Sequence, residues 1–431
     1  MTRGVFAVAL VATFLGMAVP FHRSALNELD DVYLMAARRM TAGETLYPPG
    51  GPYTYPPFMA WAFVPLTWLP RLAARFAWYL ISWAGLLSMG FLAWKMAWPK
   101  GRFQPSWGQT LGVLLIASLV GMRFAFNSLS HHQTDLVLGG LVLLGCWWII
   151  HSHDLAAALA LGTAAAMKCT PLLWCVYFAA KRKWLPAAVV AATALAWNLA
   201  PELTHPTEGT PRLQEWATRY LAPMSHADHY PGLWASHVLN NQSIAGTFHA
   251  WCLTTWKWTP AGFELSDRLA PPRPWQLKLP VYGAILVVLL TLLWRLSRTC
   301  LPRYAPQPDN QVQPIWIAEF GMVICAMLLL SPMSSKAHFG ILFLPALSLA
   351  WAAVVERRRW ATLWLIVAVL LQVWSLNLWG LSISSLAMWH GAVTWGTLCL
   401  FIGSAALTIP ASSAVSPPIH EERPETPRLA A

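Results

Sequence analysis

Five short polar constellations in this chain carry residue types that can do chemistry, and apolar runs flank all of them. The stretch NELDDVYLMAARRMTAGETLYPPGGPYTYPP, residues 27–57, holds Glu28, Asp30, Asp31 and Glu44 out of 18 acids in the whole chain. A carboxylate there can take the proton of a hydroxyl nucleophile, with Asp30 and Asp31 as the candidates. The plain alternative is a solvated or capping acidic pair. In AAAMKCTPLLW, Lys168 stands three residues before Pro171 inside an apolar run. An ammonium at membrane depth is costly unless an anion or a water-filled cavity meets it. Lys168 is therefore either a point charge for a phosphate or a snorkelling end-of-helix lysine. SHHQTDLVLGG, residues 130–140, brings His131, His132, Gln133 and Asp135 to a helix start. Asp135 suits the positive end of that helix, and adjacent histidines without spaced partners point only weakly to a metal. SPMSSKAHF, residues 331–339, sets Lys336 and His338 between two apolar runs, and LNNQSIAGTFHAW, residues 239–251, offers Asn241, Gln242 and Ser243. Those amide and hydroxyl groups can bond sugar hydroxyls or cap a helix.

The elements that must position these groups follow from composition. The chain has 431 residues, 57% hydrophobic and 11% charged, with 27 Trp, and a mean hydropathy of +0.47. A soluble protein carries about 25% charged residues, so a cytosolic enzyme, a secreted disulfide scaffold and a nucleic-acid-binding domain are excluded. The net charge of +11 lies in short clusters between apolar runs, such as Lys181-Arg182-Lys183 and Arg357-Arg358-Arg359. Such clusters stay cytoplasmic during membrane insertion. Six of the seven Cys lie in apolar runs or beside a basic cluster, so no disulfide framework is expected.

A span needs about 20 apolar residues. Runs of suitable composition fall near 4–21, 72–94, 108–126, 134–150, 184–200, 277–296, 315–331, 338–354, 360–378 and 385–409. The first, after Arg3, reads as an uncleaved helix with its N-terminus inside. The stretch 55–70, with four prolines, reads as a broken or re-entrant segment. The stretch 154–180, interrupted at Lys168 and Pro171, reads as two short helices that dip into the membrane and return. The expected architecture is all-α: a polytopic membrane protein of eleven or twelve segments, residues 1–410. Its catalytic outer loops are 22–57 and 201–276, and 411–431 forms a disordered cytoplasmic tail. Both termini are cytoplasmic, in a cell membrane. After Asp31, VYLMAARRM has the spacing of a short surface helix.

Every constellation is expected at or near the outer face. A carboxylate, a Lys, a His and an amide cluster around one cavity suit a lipid-phosphate leaving group and a hydroxyl acceptor. Trp supplies interface anchors and platforms for sugar rings.

In this order the motifs resemble glycosyltransferase family 87 of the GT-C membrane glycosyltransferases. The resemblance runs from about residue 27 to 345. It comprises an acid before VY, then AA, G, LY and YPP (Asp30 to Pro57), the Gln133 helix start, and AxxKxxP (Ala165 to Pro171). NQS (241–243) and LSP…H…LP (330–345) complete it. The resemblance implies a catalytic Asp in the first outer loop, carried onto Asp30 with Asp31 as runner-up. The familiar acid lies about four residues before the Tyr, whereas Asp30 lies three before Tyr33. Lys168 and His338 would stabilise the leaving phosphate, and Gln133, Asn241, Gln242, Ser243, Tyr33 and Tyr55 complete the substrate-binding set. The implied reaction is inverting transfer of a hexose, mannose first, from a polyprenyl-phosphate donor to a glycan or lipid acceptor among membrane lipids. No cofactor and no obligatory metal are implied, and no nucleic-acid partner. Two other classes use the same residues differently. A transporter of a lipid-linked solute would use Lys168 and Glu319 as intramembrane binding groups, and a structural membrane partner would leave the polar clusters without purpose.

Overall fold

Apolar runs become helices here, and prolines, glycines and buried charges decide where each helix breaks. The computed structural model describes residues 2–24, 27–98, 105–232, 238–299 and 315–409. The tail expected at 411–431 lies outside the described residues. Helix α1 (Thr2–Arg23) leads to a π-helical turn over Leu29–Leu34, which continues as α2 (Met35–Thr41). Next come α3 (Pro57–Phe63) and a 3-10 turn, Val64–Trp68. Pro57 starts α3, and Pro65 and Pro70 keep the 55–70 stretch broken, as its composition predicts. Two long helices follow, α4 (Arg71–Ala97) and α5 (Trp107–Ser130). The latter opens on a capping box, Ser106 with Gln109.

After α6 (Asp135–Ile150) the 154–180 stretch divides as expected into α7 (Asp154–Met167) and α8 (Leu173–Ala180). Lys168 takes an extended conformation at the break. The two ends of this unit are tied by Lys183 to Asp154 at 2.5 Å, so the pair of helices goes in and comes back. Helix α9 (Trp184–Thr204) leads into the long polar segment. This segment carries α10 (Arg212–Trp216), α11 (Ala222–Ser225), α12 (Ile244–Leu253) and an antiparallel hairpin. The hairpin, β1 (Thr254–Thr259) and β2 (Gly262–Asp267), pairs Thr254 with Asp267 and adds two short strands to the otherwise helical fold.

The remainder is α13 (Pro274–Arg298), α14 (Ile315–Leu329), α15 (Phe343–Val354), α16 (Arg359–Trp374), α17 (Leu381–Trp389) and α18 (Ala392–Leu407). A 3-10 segment, Lys336–Leu342, precedes α15. The single span expected near 385–409 is corrected: α17 and α18 meet at 55°. Gly391 between them has φ +73°, a region other residues rarely adopt. Among the described residues, five helices are long and apolar enough to cross a membrane, or six if that bent pair counts as one. The apolar helices α6, α7, α8, α12, α14 and α16 are shorter, so the chain is multi-pass with several partial segments packed inside.

Helix α14 is buried almost throughout and forms the centre. On α4, Leu72, Phe76, Leu80, Leu87 and Phe91 form one exposed apolar stripe, while Trp78, Trp83 and Leu86 face inward. Such a stripe can rest against lipid without penalty, so packing between helices depends on close approach. Helix α2 packs Ala36, Ala37 and Met40 against protein. The basic turns at Lys181–Lys183 and Arg357–Arg359 mark one end of the bundle, and the long loops with the candidate residues mark the other.

Gly85 lets α4 and α6 touch: a Cβ there would lie 2.7 Å from the backbone of Leu136, the neighbour of Asp135. Gly85→Val is expected to cost roughly 1–3 kcal/mol through overpacking, read as a lower thermal unfolding temperature in detergent. Gly90→Val, on the same helix with nothing within 4 Å, serves as the control. Equal losses in both variants would show that propensity, not this contact, sets the cost.

Candidate active site

Lys168 lies where α7 stops, so its ammonium reaches the loop-rich end of the bundle. It donates to Asp135 Oδ1 at 2.6 Å and to His338 Nε2 at 2.9 Å. An ammonium cannot accept, so His338 Nε2 is the acceptor and its proton sits on Nδ1. Asp135 at the start of α6 is 8% exposed, and its Oδ2 has no protein partner. Two of the three N–H groups of Lys168 are thus spent on protein. Its Nζ also stands 5.3 Å from the centre of the Tyr55 ring.

Tyr55 connects this group to a carboxylate. Its hydroxyl lies 3.3 Å from Glu28 Oε2, which also accepts from Tyr33 at 2.8 Å, and the two tyrosine hydroxyls are 3.0 Å apart. Gln133 Nε2 donates to Glu28 Oε1. Burial pushes both tyrosine hydroxyls well above their ordinary range, so they keep their protons and donate. The π-helical turn explains the pairing of Glu28 with Tyr33. In an α-helix residues five apart are rotated by about 140°, whereas a widened turn aligns them on one face. Glu28 is further fixed by its own N–H on the carbonyl of His131, 3.3 Å away.

Asp30 stands elsewhere. Its Oδ2 accepts from Asn27 Nδ2 at 2.8 Å, from Arg71 Nε at 2.8 Å and from Arg75 Nε at 3.0 Å. Arg71 and Arg75 are one turn apart on α4, a spacing visible in the sequence. Asp31 is exposed. The expected amide cluster also has another job. Asn241 Oδ1 accepts from Ser334 N at 3.0 Å and Ser243 Oγ at 2.9 Å, and its Nδ2 donates to Pro332 O. Gln242 bonds Leu239 O and Met388 O, both at 2.8 Å, and Ser243 caps α12 through Gly246 N. All three are buried. NQS thus acts as a staple that holds the 331–335 loop next to His338.

His132 is also accounted for: its ring stacks on Phe21 at 3.8 Å and its Nε2 meets Phe21 O at 2.5 Å. Burial lowers it to about 4, so it is neutral near pH 7. Its φ of +60° turns the chain so that Gln133 faces Glu28. Among the described residues, no three His, Cys, Asp or Glu side chains gather as a metal site. The structure thus brings together Lys168, His338, Gln133, Tyr33 and Tyr55. It adds Glu28 and Asp135 to them and leaves Asp30, Asp31 and the NQS residues outside.

Burial alone would raise the Asp30 carboxyl, but hydrogen bonds and charge from Arg75 and Arg71 outweigh it and hold it below the usual carboxylate range. A depressed carboxyl stabilises the fold above its unfolded pKa and loses that contribution as pH falls through the folded one. Wild type is therefore expected to unfold at a higher temperature than Asp30→Asn at neutral pH, and the gap should close in acid. A pH-independent gap, measured by thermal unfolding, would remove charge from the explanation.

The chain matches the model of glycosyltransferase family 87 over residues 53–332. That range takes in Tyr55, Gln133, Asp135 and Lys168. It is 27% identical over 370 residues to the polyprenol-phosphate-mannose-dependent alpha-(1-2)-phosphatidylinositol mannoside mannosyltransferase of Mycobacterium tuberculosis, covering 80% of this chain and 75% of that protein. It is 28% identical over 187 residues to a relative of the same description in Mycolicibacterium smegmatis, covering 39% of this chain and 42% of that protein. Among solved structures, ArnT from Cupriavidus metallidurans, bound to undecaprenyl phosphate, aligns with a TM-score of 0.42 at 13% identity. That alignment covers 94% of this chain and 78% of ArnT. With well over half of its length matched by the family model, this multi-pass chain belongs to glycosyltransferase family 87.

Proposed function

We propose that the protein transfers a hexose, mannose first, from a polyprenyl-phosphate donor to a hydroxyl of a glycan or lipid acceptor, with inversion, at the outer face of a cell membrane. The mycobacterial relatives are named for a polyprenol-phosphate-mannose donor and for phosphatidylinositol mannoside acceptors. The observation that carries the reading is the pairing across Tyr55 of a carboxylate, Glu28, with an ammonium, Lys168. A base at the hydroxyl of one aromatic ring and a stabiliser of a leaving phosphate over its face suit an in-line displacement at a sugar carbon.

In this reaction the acceptor oxygen attacks the anomeric carbon from the face opposite the phosphate. Glu28 takes the hydroxyl proton, and the bond from that carbon to the phosphate oxygen breaks, with its electron pair leaving on the lipid phosphate. Two carboxylate oxygens offer about four lone-pair sites. Three donors occupy Glu28, which leaves room for an acceptor hydroxyl. Lys168 meets the developing phosphate charge with its remaining N–H, and Asp135 and His338 position it. Asp30 is a weaker choice than its place in the motif suggests, because two guanidiniums already neutralise it. The basic turns at the opposite end of the bundle support a cytoplasmic placement for them and for the N-terminus, with the site facing out.

The test uses purified protein in liposomes with radiolabelled polyprenyl-phosphate-mannose and a panel of lipid and glycan acceptors. Glu28→Gln is expected to lower kcat by about 100-fold or more, the range for a lost general base. Lys168→Met should do the same, and Asp30→Asn should cost less. Loss confined to Asp30→Asn would return the base to Asp30. Label that crosses the bilayer without transfer would replace the enzyme with a transporter.

A further inference from the structure

The long polar segment opens on THPTEGTPRLQEW, residues 204–216, rich in hydroxyls and charge. Its two prolines and its glycine keep it out of a helix until α10. One carboxylate pins this stretch. Glu202, near the end of α9, accepts from Arg212 N at 2.8 Å, from Arg212 Nη1 at 3.3 Å and from Thr207 Oγ1 at 3.4 Å. The residues that follow are fastened to the first loop. Trp216 Nε1 donates to Thr54 O at 3.0 Å, Arg219 Nη2 to Pro48 O at 3.1 Å and the Tyr220 hydroxyl to Tyr53 O at 2.9 Å. Thr45 donates to Glu215. Between residues 43–45 and 207–219 these contacts leave a cavity of about 620 Å³. Small-molecule sites occupy roughly 300–1,000 Å³, so its size suits a ligand.

The lining decides which ligand. Apart from two glycines every residue around the cavity is polar or charged. The side chains of Glu44, Glu208, Thr210, Gln214 and Thr218 bond no other group among the described residues. Arg212 also lines the cavity and is 1% exposed. Its Nη1 meets Glu202 and His205 O, while Nε and Nη2 have no partner. Buried N–H groups without an acceptor are rare in folded proteins. A phosphate does not fit here, because three carboxylates repel it and both guanidiniums are engaged. Arg212 is paired with Glu202, and Arg219 donates to the carbonyls of Tyr47 and Pro48. An acyl chain does not fit either, since no apolar or aromatic side chain lines the space. Carboxylates that accept, hydroxyls and an amide that do both, and N–H groups that donate match a neutral ligand dense in hydroxyls. That ligand is a sugar. The wall also belongs to the loop of the candidate active site, for the Tyr47 hydroxyl donates to Tyr55 O at 3.0 Å.

We propose that this cavity is a glycan subsite, which holds a sugar of the acceptor chain other than the one that receives the transferred hexose. Binding there fixes a longer acceptor on the loop that carries Tyr55, away from the reacting atoms. The acceptor role rests on the glycosyl-transfer reading, whereas glycan binding does not.

The experiment compares wild type with Glu208→Ala, Gln214→Ala and the double variant, all purified at full length. Binding of α-linked mannotriose and of methyl α-mannoside is titrated calorimetrically without donor. KM and kcat are then measured for glycolipid acceptors that carry three mannoses or one. Neither side chain has a protein partner, so thermal unfolding temperatures should match wild type. The double variant should weaken mannotriose binding about tenfold or more, as lost bonds to a carboxylate and an amide predict. KM for the three-mannose acceptor should rise by a similar factor, with kcat and the one-mannose acceptor unchanged. Equal mannotriose affinity in wild type and double variant would overturn the subsite. Weakened binding with unchanged KM would overturn the acceptor role. An equal rise in KM for both acceptors would overturn a subsite remote from the reacting sugar. If wild type transfers to neither acceptor, the transferase reading fails, and the titration still decides glycan binding.

Discussion

A charged lysine at membrane depth is the constraint around which the loop-rich end of this protein is arranged. Lys168 could not remain at the break of an apolar helical hairpin without an acid and a second acceptor, because an isolated ammonium there costs several kcal/mol. Asp135 and His338 meet that need, and each must be brought from a different element. Helix α6 delivers Asp135 only because Gly85 lets α4 approach it. The 331–335 loop holds His338 only because Asn241 and Gln242 grip its backbone. The small residues and buried amides are thus consequences of placing one charge.

The same logic separates Glu28 from Asp30. Both are acids of one short loop, two residues apart, and a motif reading favours Asp30. Their surroundings differ in sign. Asp30 faces two guanidiniums, while Glu28 faces only neutral donors. A carboxylate held by neutral donors is in no ion pair with them, whereas one clamped between arginines is already neutralised by its partners.

Some of this was legible in the sequence, for physical reasons. Lys168 and Pro171 inside an apolar run marked both a break and an expensive charge, and the hairpin of α7 and α8 appears where they stand. Apolar length gave the long helices. What stayed hidden depends on backbone detail or on partners distant in the chain. The pairing of Glu28 with Tyr33 needs a π-helical turn, which periodicity at 3.6 cannot reveal. Asp135 and Lys168 are 33 residues apart, so nothing local announces their contact. The amides and hydroxyl of NQS suit a sugar edge or a cap equally in sequence, and only burial shows that they also hold the 331–335 loop. Arg71 and Arg75 were visible at helical spacing, but their target was not.

The opposite end of the bundle shows what a purely structural charge looks like. Lys181 donates to Glu319 at 2.7 Å, to Thr299 Oγ1 and O, and to the carbonyl of Leu296, and both charged side chains are 2% exposed. More oxygens surround that ammonium than it has protons, so it has nothing left to offer a substrate. Its partners lie on α13, α14 and the segment between them, which it fastens to α8. Lys168 also has buried partners but fewer of them, and it keeps one proton and an aromatic face beside it. Two buried lysines on neighbouring short helices thus differ by coordination alone: the saturated one holds helices together, and the unsaturated one is left able to meet a phosphate.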